Sequence, residues 1–339
     1  MKKNFMSKKI GIKTSDTTFN LRNSTLGYMK IECGKTTPYF YIEALESGVT
    51  VQFYYMPNFG GNPPIINLSY SRDTNNWTTW GHSDTPGDQV FDRLMMTKAG
   101  DRIYIKGDNT EKWTQQDNYS YTDIHFTITG RCNLGGSLGS LIDGDNCNEN
   151  TKGLMAGMFR ENPGITDISE LYIPNGVFAH DSACESMFSG CAGITHAADM
   201  SHASVIGDYT CYHMYYSCDN LLTVADMPYL ATIGSHGCEQ MYSDCALLSS
   251  AADVPELATI GDNGCSGMYG GCESLVSAAD MPSLTTIGDN ACEGMYESCG
   301  NLILISGGIL TFDFPAPPVT TTSGTTYETD QDIAHWMTH

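Results

Sequence analysis

The chain has 339 residues, enough for two or three domains with buried cores, and it contains no run of 18 apolar residues that could span a membrane. Its formal net charge of −22 is unevenly placed: every Lys and Arg lies at or before Arg160, and residues 161–339 carry 23 acidic groups. Phosphate backbones need cations, so we do not expect nucleic-acid binding by the second half. The acidic charge favours either solubility or a surface that collects calcium or meets a basic partner.

Residues 1–27 form a polar segment with several lysines (positions 2, 3, 8, 9 and 13), and no apolar stretch follows them. This is not the pattern of a secretory signal peptide. We therefore interpret residues 1–27 as an N-terminal arm, and we expect either no export by that route or a leader removed from the chain.

Residues 28–130 alternate apolar and polar side chains in short runs bounded by turn residues, which is typical of an antiparallel β-sandwich. The runs cover residues 39–45, 49–56, 65–71, 91–97, 101–107 and 121–130. Three tryptophans, Trp77, Trp80 and Trp113, lie on or near predicted loops. They either belong to the core and its rim or are exposed and stack on sugar rings, as ligand-binding residues. Residues 131–153 are the predicted connector to the next domain.

Residues 154–305 are repetitive, and five copies of one 27-residue unit follow each other without insertion or deletion. Each copy begins C-x-x-M-[FY]-x-x-C, and most continue with Leu or Ile, Ala-Asp, a proline and Ile-Gly. A fixed period in this range indicates a solenoid, in which each unit buries its apolar face against its neighbours. The copies begin at Cys184, Cys211, Cys238, Cys265 and Cys292.

Within a copy, the cysteines, the methionine and the aromatic residue fall at i, i+3, i+4 and i+7, which is one stripe of an α-helix. We therefore predict a short helix, capped by Asp208 or its equivalents, followed by one or two short strands that stack in parallel. The predicted fold class is thus mainly β plus an α/β solenoid with 27-residue repeats, each made of a short helix and short strands. The predicted structural core of the stripe is Cys184, Met187, Cys191, Cys211, Met214, Cys218, Cys238, Met241, Cys245, Cys265, Met268, Cys272, Cys292, Met295 and Cys299.

Thirteen cysteines raise the question of disulfides or zinc. Two cysteines seven residues apart on a helix lie about 10.5 Å apart along its axis, whereas a disulfide needs Cα atoms within about 7 Å. Neighbouring helices pack about 8–10 Å apart, and a ladder of separated thiols does not converge on one zinc ion. We interpret the ten repeat cysteines as small buried core residues.

A second ladder at the same period consists of Asp199, Asp226, Asp253 and Asp280. Strands stacked about 4.8 Å apart would bring these carboxylates close together, which favours a bound cation, with calcium as the candidate. Alternatively, they point outward and fan apart with the curvature of the solenoid. No other cofactor is indicated. Phosphate-loop, G-x-S-x-G and H-E-x-x-H motifs are absent, so we predict that the protein is not an enzyme.

Both ends of the repeats carry signs of capping. Residues 154–162 imitate the unit imperfectly, with Met155 in place of the first cysteine and Asn162 in place of the second, as expected of a terminal repeat. Residues 306–339 are the predicted C-terminal cap and tail. Their Pro/Thr-rich run, residues 315–330, is expected to be extended or mobile.

The repeat resembles the BspA-like leucine-rich repeat, since Leu, a strand, Pro, Leu-x-x-Ile-Gly-x-x-Ala and a cysteine-ended turn follow in order, with the turn lengthened here to residues 291–299. The segments NNWTTW (75–80), KAGDRIYIKGDN (98–109) and GSLIDGDN (139–146) resemble a companion domain of such proteins from gut Bacteroidales and the phages that infect them. The resemblance covers residues 28–305. It implies surface display and recognition, with no catalytic residues.

Together with the missing export signal, the resemblance favours a phage virion protein: a fibre, tail or capsid decoration. Its N-terminal region would attach to other virion proteins, and its solenoid would face a glycan or protein of the host surface. A second hypothesis is a bacterial cell-surface adhesin of the same family. A third is a carbohydrate-binding sandwich with the solenoid as spacer. None of these hypotheses involves membrane insertion, and each is compatible with a homo-oligomer.

Overall fold

The structure is a computed structural model that describes residues 39–56, 66–85, 88–109, 123–148, 150–152, 154–306 and 309–339. The predicted N-terminal arm lies outside the described residues, which belong to one compact unit, Cys33–His339. Their regular structure is mainly β, in several sheets. Among the described residues, no helix has the length and apolarity needed to cross a membrane.

Two sheets make up the first part of the unit. One has the strand order β11-β10-β1-β8-β3-β4; the other has the order β5-β6-β2-β7, with β9 also paired to β2. Pairing is antiparallel except between β10 and β11. The strands are β1 (Phe40–Ala44), β2 (Val49–Met56), β3 (Leu68–Ser71), β4 (Thr78–Thr79), β5 (His82–Thr85), β6 (Asp88–Phe91), β7 (Leu94–Met96), β8 (Arg102–Gly107), β9 (Asp123–Thr129), β10 (Cys132–Ser137) and β11 (Ile165–Tyr172).

The inner faces of these two sheets share one core. Alternation along β8 buries Ile103 and Ile105, as a half-buried strand requires. The ring of Phe40 in β1 lies 5.7 Å from that of Phe126 in β9, which lies 4.8 Å from that of Phe53 in β2. Part of the predicted connector joins this core, because β10 extends the first sheet beside β1 and is followed by a short helix, α1 (Gly139–Asp143).

The repeat region, residues 154–306, is built from copies that lie side by side in register. Its short strands pair in parallel, so that Ile206, Ile233, Ile260 and Ile287 are successive partners, each one copy further along the chain. The elements are α2 (Asn175–Phe178), β12 (Val205–Ile206), β13 (Thr232–Ile233), β14 (Thr259–Ile260) and β15 (Thr286–Ile287).

The cysteine-bearing segments of the copies are turns, and the prediction of an α-helix there is wrong. Met214 N donates to Cys211 O (3.1 Å) and Cys218 N to Tyr215 O (3.1 Å), so each bond spans three residues instead of the four of an α-helix. Every fourth residue has a left-handed backbone, as at His213 (φ 54°). With four residues per turn, residues i and i+4 share one side and residues i+3 and i+7 share the adjacent side. The Cys, Met and aromatic side chains of the predicted stripe therefore still lie on the inner face.

Hydrogen bonds between copies explain why these four-residue turns replace a helix. His213 N donates to Glu239 O (3.1 Å) and Tyr215 N to Met241 O (2.8 Å), both in the next copy, whereas Met214 N, between them, bonds within its own copy. An α-helix would use every interior amide internally. Here alternate amides join neighbouring copies, so the turns pair along the array as strands do in a sheet.

A column of stacked aromatic rings runs through the repeat region from the core of the two sheets. Neighbouring ring centroids lie 5.3–5.6 Å apart, and their planes differ by 6–14°. The hydroxyls of Tyr215, Tyr269 and Tyr296 also accept hydrogen bonds from the backbone amides of Ala198, Ala252 and Ala279. The core is therefore continuous from sheet to repeats. The rings belong to Phe126, Phe159, Phe188, Tyr215, Tyr242, Tyr269 and Tyr296.

At its first end, the repeat region is bonded to β9 through Asn162, which stands where a copy has its second cysteine. The Asn162 amide donates to Phe126 O (2.7 Å) and Phe159 O (2.9 Å), and its oxygen accepts from Ile128 N (2.8 Å). A cysteine thiol offers only one weak donor and a weak acceptor, whereas the Asn amide offers two donors and a strong acceptor. The substitution therefore suits a junction between two kinds of structure.

The other end is covered by residues 309–339, including the run expected to be extended or mobile. A helix forms there because Thr329 Oγ1 accepts from Asp332 N (3.1 Å) at its N-cap. Carbonyls near the end of this helix accept from Gly294 N (2.9 Å) and Tyr296 N (2.7 Å), as a sixth copy would. The elements are β16 (Ile305–Ser306), β17 (Ile309–Leu310), β18 (Val319–Thr320), β19 (Thr326–Tyr327) and α3 (Asp330–Thr338).

Candidate functional site

The predicted ligand-binding tryptophans lie in different environments. Trp80 is only 1% exposed, its Nε1 donates to Asp92 O (2.7 Å), and its ring packs against Phe53 and Phe91. A sugar can stack only on an open ring face, so the ligand-binding prediction for Trp80 is wrong and the residue belongs to the core. Trp113 lies outside the described residues.

Trp77 is half-buried within a small polar cluster on the first sheet. Its Nε1 donates to Thr74 O (3.1 Å), the Tyr39 ring meets it edge-on at 4.8 Å, and Lys106 Nζ lies 4.5 Å from its ring centroid. The Tyr39 hydroxyl donates to Asp145 (2.6 Å), and this hydrogen bond raises the pKa of Tyr39 to about 12. The cation and the Tyr39 ring cover part of the Trp77 side chain, and part of it stays accessible to solvent. Ligand binding by Trp77 stays a prediction.

The fifteen predicted core residues of the repeats are buried, and all twelve described cysteines are free. The second cysteine of each copy donates to a carbonyl of the preceding copy, as from Cys245 Sγ to Tyr215 O (3.2 Å) and from Cys272 Sγ to Tyr242 O (3.2 Å). Burial raises the pKa of the Cys245 thiol to about 12. Because the thiolate is the nucleophile and the metal ligand, these groups are chemically inert at neutral pH.

The ladder of aspartates predicted to bind calcium links neighbouring copies. Asp226 Oδ1 accepts from Asp253 N (3.0 Å), and Asp253 Oδ1 accepts from Asp280 N (3.0 Å). Asp280 Oδ1 accepts in turn from Asp313 N (2.7 Å), which extends the ladder into the C-terminal cap. At the other end, Asp199 Oδ1 accepts a hydrogen bond from Ser201 N in its own loop (2.9 Å). Sequence spacing could not find Asp313, because its distance along the chain from Asp280 is longer than one repeat period.

A second set of aspartates, predicted as helix caps, has the same linking role. Asp181 Oδ1 accepts from Asp208 N (3.1 Å), Asp208 Oδ1 from Ser235 N (2.8 Å), and Asp262 Oδ1 from Asp289 N (2.8 Å). The capping prediction is wrong because no helix follows these described residues. A carboxylate accepts amide hydrogens equally well in either setting, so composition alone does not distinguish the two roles.

The calcium hypothesis stays a prediction. Within the described ranges, no three side chains of His, Cys, Asp or Glu are grouped so that they could hold one metal ion. Calcium takes six to eight oxygen ligands, and one oxygen of each linking carboxylate already accepts an amide. A melting temperature that rises with added calcium and falls with chelator would support the ion; equal melting temperatures would remove it.

A cluster of aromatic and histidine side chains lies on the outer side of the four-residue turns. Tyr209 stacks on His236 at 4.4 Å and meets Tyr212 at 6.1 Å; His213 lies 3.9 Å from the Tyr212 ring and 5.0 Å from the Tyr216 ring. Tyr209 is 42% exposed and the other four are partly exposed. We call these five residues the tyrosine patch.

The tyrosine patch interrupts the repeat pattern. Where the second copy has Tyr209, Tyr212, His213 and Tyr216, the equivalent positions two copies later hold Asn263, Ser266, Gly267 and Gly270. The predictions from sequence did not include the patch, because they concerned what the copies share. The available signal was what one copy has alone: three tyrosines and a histidine at outward positions where other copies carry mostly small or polar residues.

Comparisons with known proteins found no relative of this chain. Neither the models of protein families, nor the curated proteins, nor the solved structures gave a match.

Proposed function

We propose that this protein is a non-enzymatic recognition protein, a component of a phage virion in which a BspA-like leucine-rich-repeat solenoid follows a β-sandwich. The solenoid displays its acidic surface toward the host, and the N-terminal region attaches to other virion proteins. The virion assignment rests on the resemblance of the repeats and of the segments around Trp77 to such proteins.

The observation that carries the proposal is the uniform bonding of the copies. Strand pairs, turn amides, thiols and aspartates all link a residue to the neighbouring copy in a recurring pattern, which favours a stiff array. Stiffness and regular outer positions suit display of a surface, as in other repeat proteins. The groups with reactive potential, the repeat thiols, are buried and protonated, which favours binding over catalysis.

Mass spectrometry of purified, washed virions whose genome encodes this chain tests the virion assignment. We expect the chain in the particle at the level of structural proteins, and we expect antibodies against residues 154–306 to reduce adsorption to the host. Its absence from particles together with its presence on washed bacterial cells would replace the virion assignment with the adhesin hypothesis.

A second candidate function is carbohydrate binding on the first two sheets, favoured by the partly open ring of Trp77. Trp77→Ala should abolish glycan-array binding if this site is used, and the ion pair between Lys106 and Asp145 should hold the neighbouring side chains in place. Trp80→Ala is unsuitable as a test, because removing a buried ring costs about 3–5 kcal/mol of stability. Array binding that survives Trp77→Ala would remove this candidate.

A further inference from the structure

The tyrosine patch includes left-handed backbone positions, one of which disfavours the tyrosine that it carries. Tyr209, His213 and His236 have left-handed φ values of 55°, 54° and 56°. Left-handed backbone is uncommon for a bulky side chain such as that of Tyr209, whereas Asn, Asp and His adopt it more often than other non-Gly residues. The equivalent positions of the fourth copy hold Asn263 and Gly267, which adopt this backbone readily. Tyr209 is therefore not the residue that stability would select at its position.

Carboxylates flank the patch on both sides. Glu185 and Glu239 occupy the position of Tyr212 in the preceding and following copies. Backbone bonds hold the three in one row: Ser186 N donates to Tyr212 O (2.8 Å), and His213 N donates to Glu239 O (3.1 Å). Tyr212 therefore stands between two acidic residues in this row.

The two flanking carboxylates differ in their own partners. One oxygen of Glu239 is hydrogen-bonded to His236 Nδ1 of the patch, which leaves its second oxygen for a further donor. Burial raises the pKa of Glu185. In the part of the chain that the structure describes, the Glu185 carboxylate makes no hydrogen bond or ion pair. A cation placed beside it would therefore stabilise its charged form.

The charge around the patch favours a cationic ligand over an anionic ligand or a neutral sugar. No Lys or Arg follows Arg160 in the sequence, and the 23 acidic groups of residues 161–339 produce a field that repels anions. Tyrosine faces attract cations through the ring quadrupole, and neighbouring carboxylates add to this attraction. A neutral sugar would use the rings but would gain nothing from Glu185 and Glu239 as charges.

We propose that the tyrosine patch binds an arginine- or lysine-bearing segment of a partner protein, with the cationic group between the tyrosine faces and the flanking carboxylates Glu185 and Glu239. This inference rests on the proposed function, since it names the class of partner that the displayed surface meets. It does not depend on whether a virion or a bacterial cell carries the protein.

The test uses the full chain and a variant in which four patch residues are replaced by those of the third and fourth copies: Tyr209→Asn, Tyr212→Ser, His213→Gly and Tyr216→Ser. The matched control is Tyr229→Ser, an exposed tyrosine of the same acidic half (53% exposed) outside the patch. The probes are a fluorescent peptide of arginines separated by Gly-Ser and the same peptide with Gln for Arg. Fluorescence anisotropy and melting temperature are measured for each protein.

We expect the fourfold variant to bind the arginine peptide about two- to thirty-fold more weakly for each tyrosine ring that holds a cation in the unmodified chain. Tyr229→Ser should stay within about twofold of the unmodified chain. The fourfold variant should melt at the same or a higher temperature, since Asn and Gly relieve the left-handed strain.

Equal affinity of the fourfold variant and the Tyr229→Ser control would overturn the proposal, because attraction to the general negative charge would then explain binding. A lower melting temperature accompanying weaker binding would also overturn it, by making the patch structural. So would patch-dependent binding of neutral glycans or of the glutamine peptide, or a patch-dependent dimer. Each of these outcomes leaves the virion test above unaffected, so failure of one proposal is distinguishable from failure of the other.

Discussion

Aspartate residues act in the repeat region as acceptors for backbone amides of the next copy. Their carboxylates bind these amides beside direct backbone pairs between the same copies, such as the bond from Val254 N to Asp280 O (3.0 Å). Asp253 shows this best, because its backbone N–H donates to one copy and its Oδ1 accepts from the other, both at 3.0 Å. Asp253 therefore takes part in the interface with the preceding copy and in the interface with the following copy.

Replacing Asp253 therefore has a predictable effect. Asp253→Ala leaves Asp280 N without its partner and should reduce the free energy of unfolding by about 1 kcal/mol. Asp253→Asn keeps an accepting oxygen and should lose less than half of that. Denaturant unfolding of both variants measures the difference. Equal losses would show that charge, and not the hydrogen bond, is the property that matters.

The buried thiols predict how stability depends on pH. The pKa of every repeat cysteine is raised from an ordinary value of 9.0, by burial in most of them and, for Cys238, by a hydrogen bond with Cys211 and then by burial. It reaches about 12 for Cys191 and Cys245. Above pH 9 the unfolded chain loses these protons and the folded chain keeps them, so the free energy of unfolding falls as pH rises. Each thiol contributes about 1.4 kcal/mol per pH unit until its folded pKa is reached.

Ten thiols acting together should unfold the protein within about one to two pH units above 9, given the usual stability of a domain. Denaturant titrations at pH 8, 9 and 10 measure this, and iodoacetamide labelling reports which thiols become accessible. A free energy of unfolding that is constant from pH 8 to 10 would mean that the thiols ionise in the folded protein, and the account of their burial would fail.

Among the structural elements, the cysteine-bearing turn shows which features could be predicted from the sequence and which could not. The inner face of each copy was predictable, because Cys, Met, the aromatic residue and Cys share a side under either a 3.6- or a four-residue period. The choice between helix and turn was not, since it depends on amides that bond to another copy. The helix α3 was missed although Thr329 and Asp332 form a recognisable N-cap pair, because the Pro/Thr composition before it dominated the interpretation.

Glycine substitution separates the two kinds of element experimentally. Ser217 has a left-handed φ of 56°, and its equivalent in the fourth copy is Gly271. In a four-residue turn, Ser217→Gly should leave stability unchanged or raise it by up to about 1 kcal/mol, whereas in a helix it should lower stability by about 0.5 kcal/mol.

The matched control is Ser189→Gly, at a turn position whose φ is not positive. There glycine brings only its extra freedom in the unfolded chain, and we expect a loss of about 0.5–1 kcal/mol. Urea unfolding of both variants gives the comparison. A loss at Ser217 as large as at Ser189 would contradict the turn geometry.

For the whole molecule, the sequence predicted a β-rich first part, a 27-residue array and an acidic second half. It did not reveal that one core runs through both parts, since the contact between Phe126 and Phe159 joins segments with no shared pattern. Nor did it place Trp80, because a tryptophan on or near a predicted loop is compatible with burial or exposure. The shared core and the burial of Trp80 both depend on packing between residues that are distant in the sequence.

Deletion of one whole copy tests most directly the central claim, that neighbouring copies in a fixed register hold the recognition surface together. Removal of residues 238–264 takes out one complete period, joins Gly237 to Cys265 and restores the bonding pattern. Removal of residues 238–262 falls short of a complete period, so it shifts the register and misplaces each linking group. We predict a cooperative thermal transition for the first variant and loss of cooperative unfolding of the repeat region for the second. Equal behaviour of the two deletions in calorimetry would contradict the account.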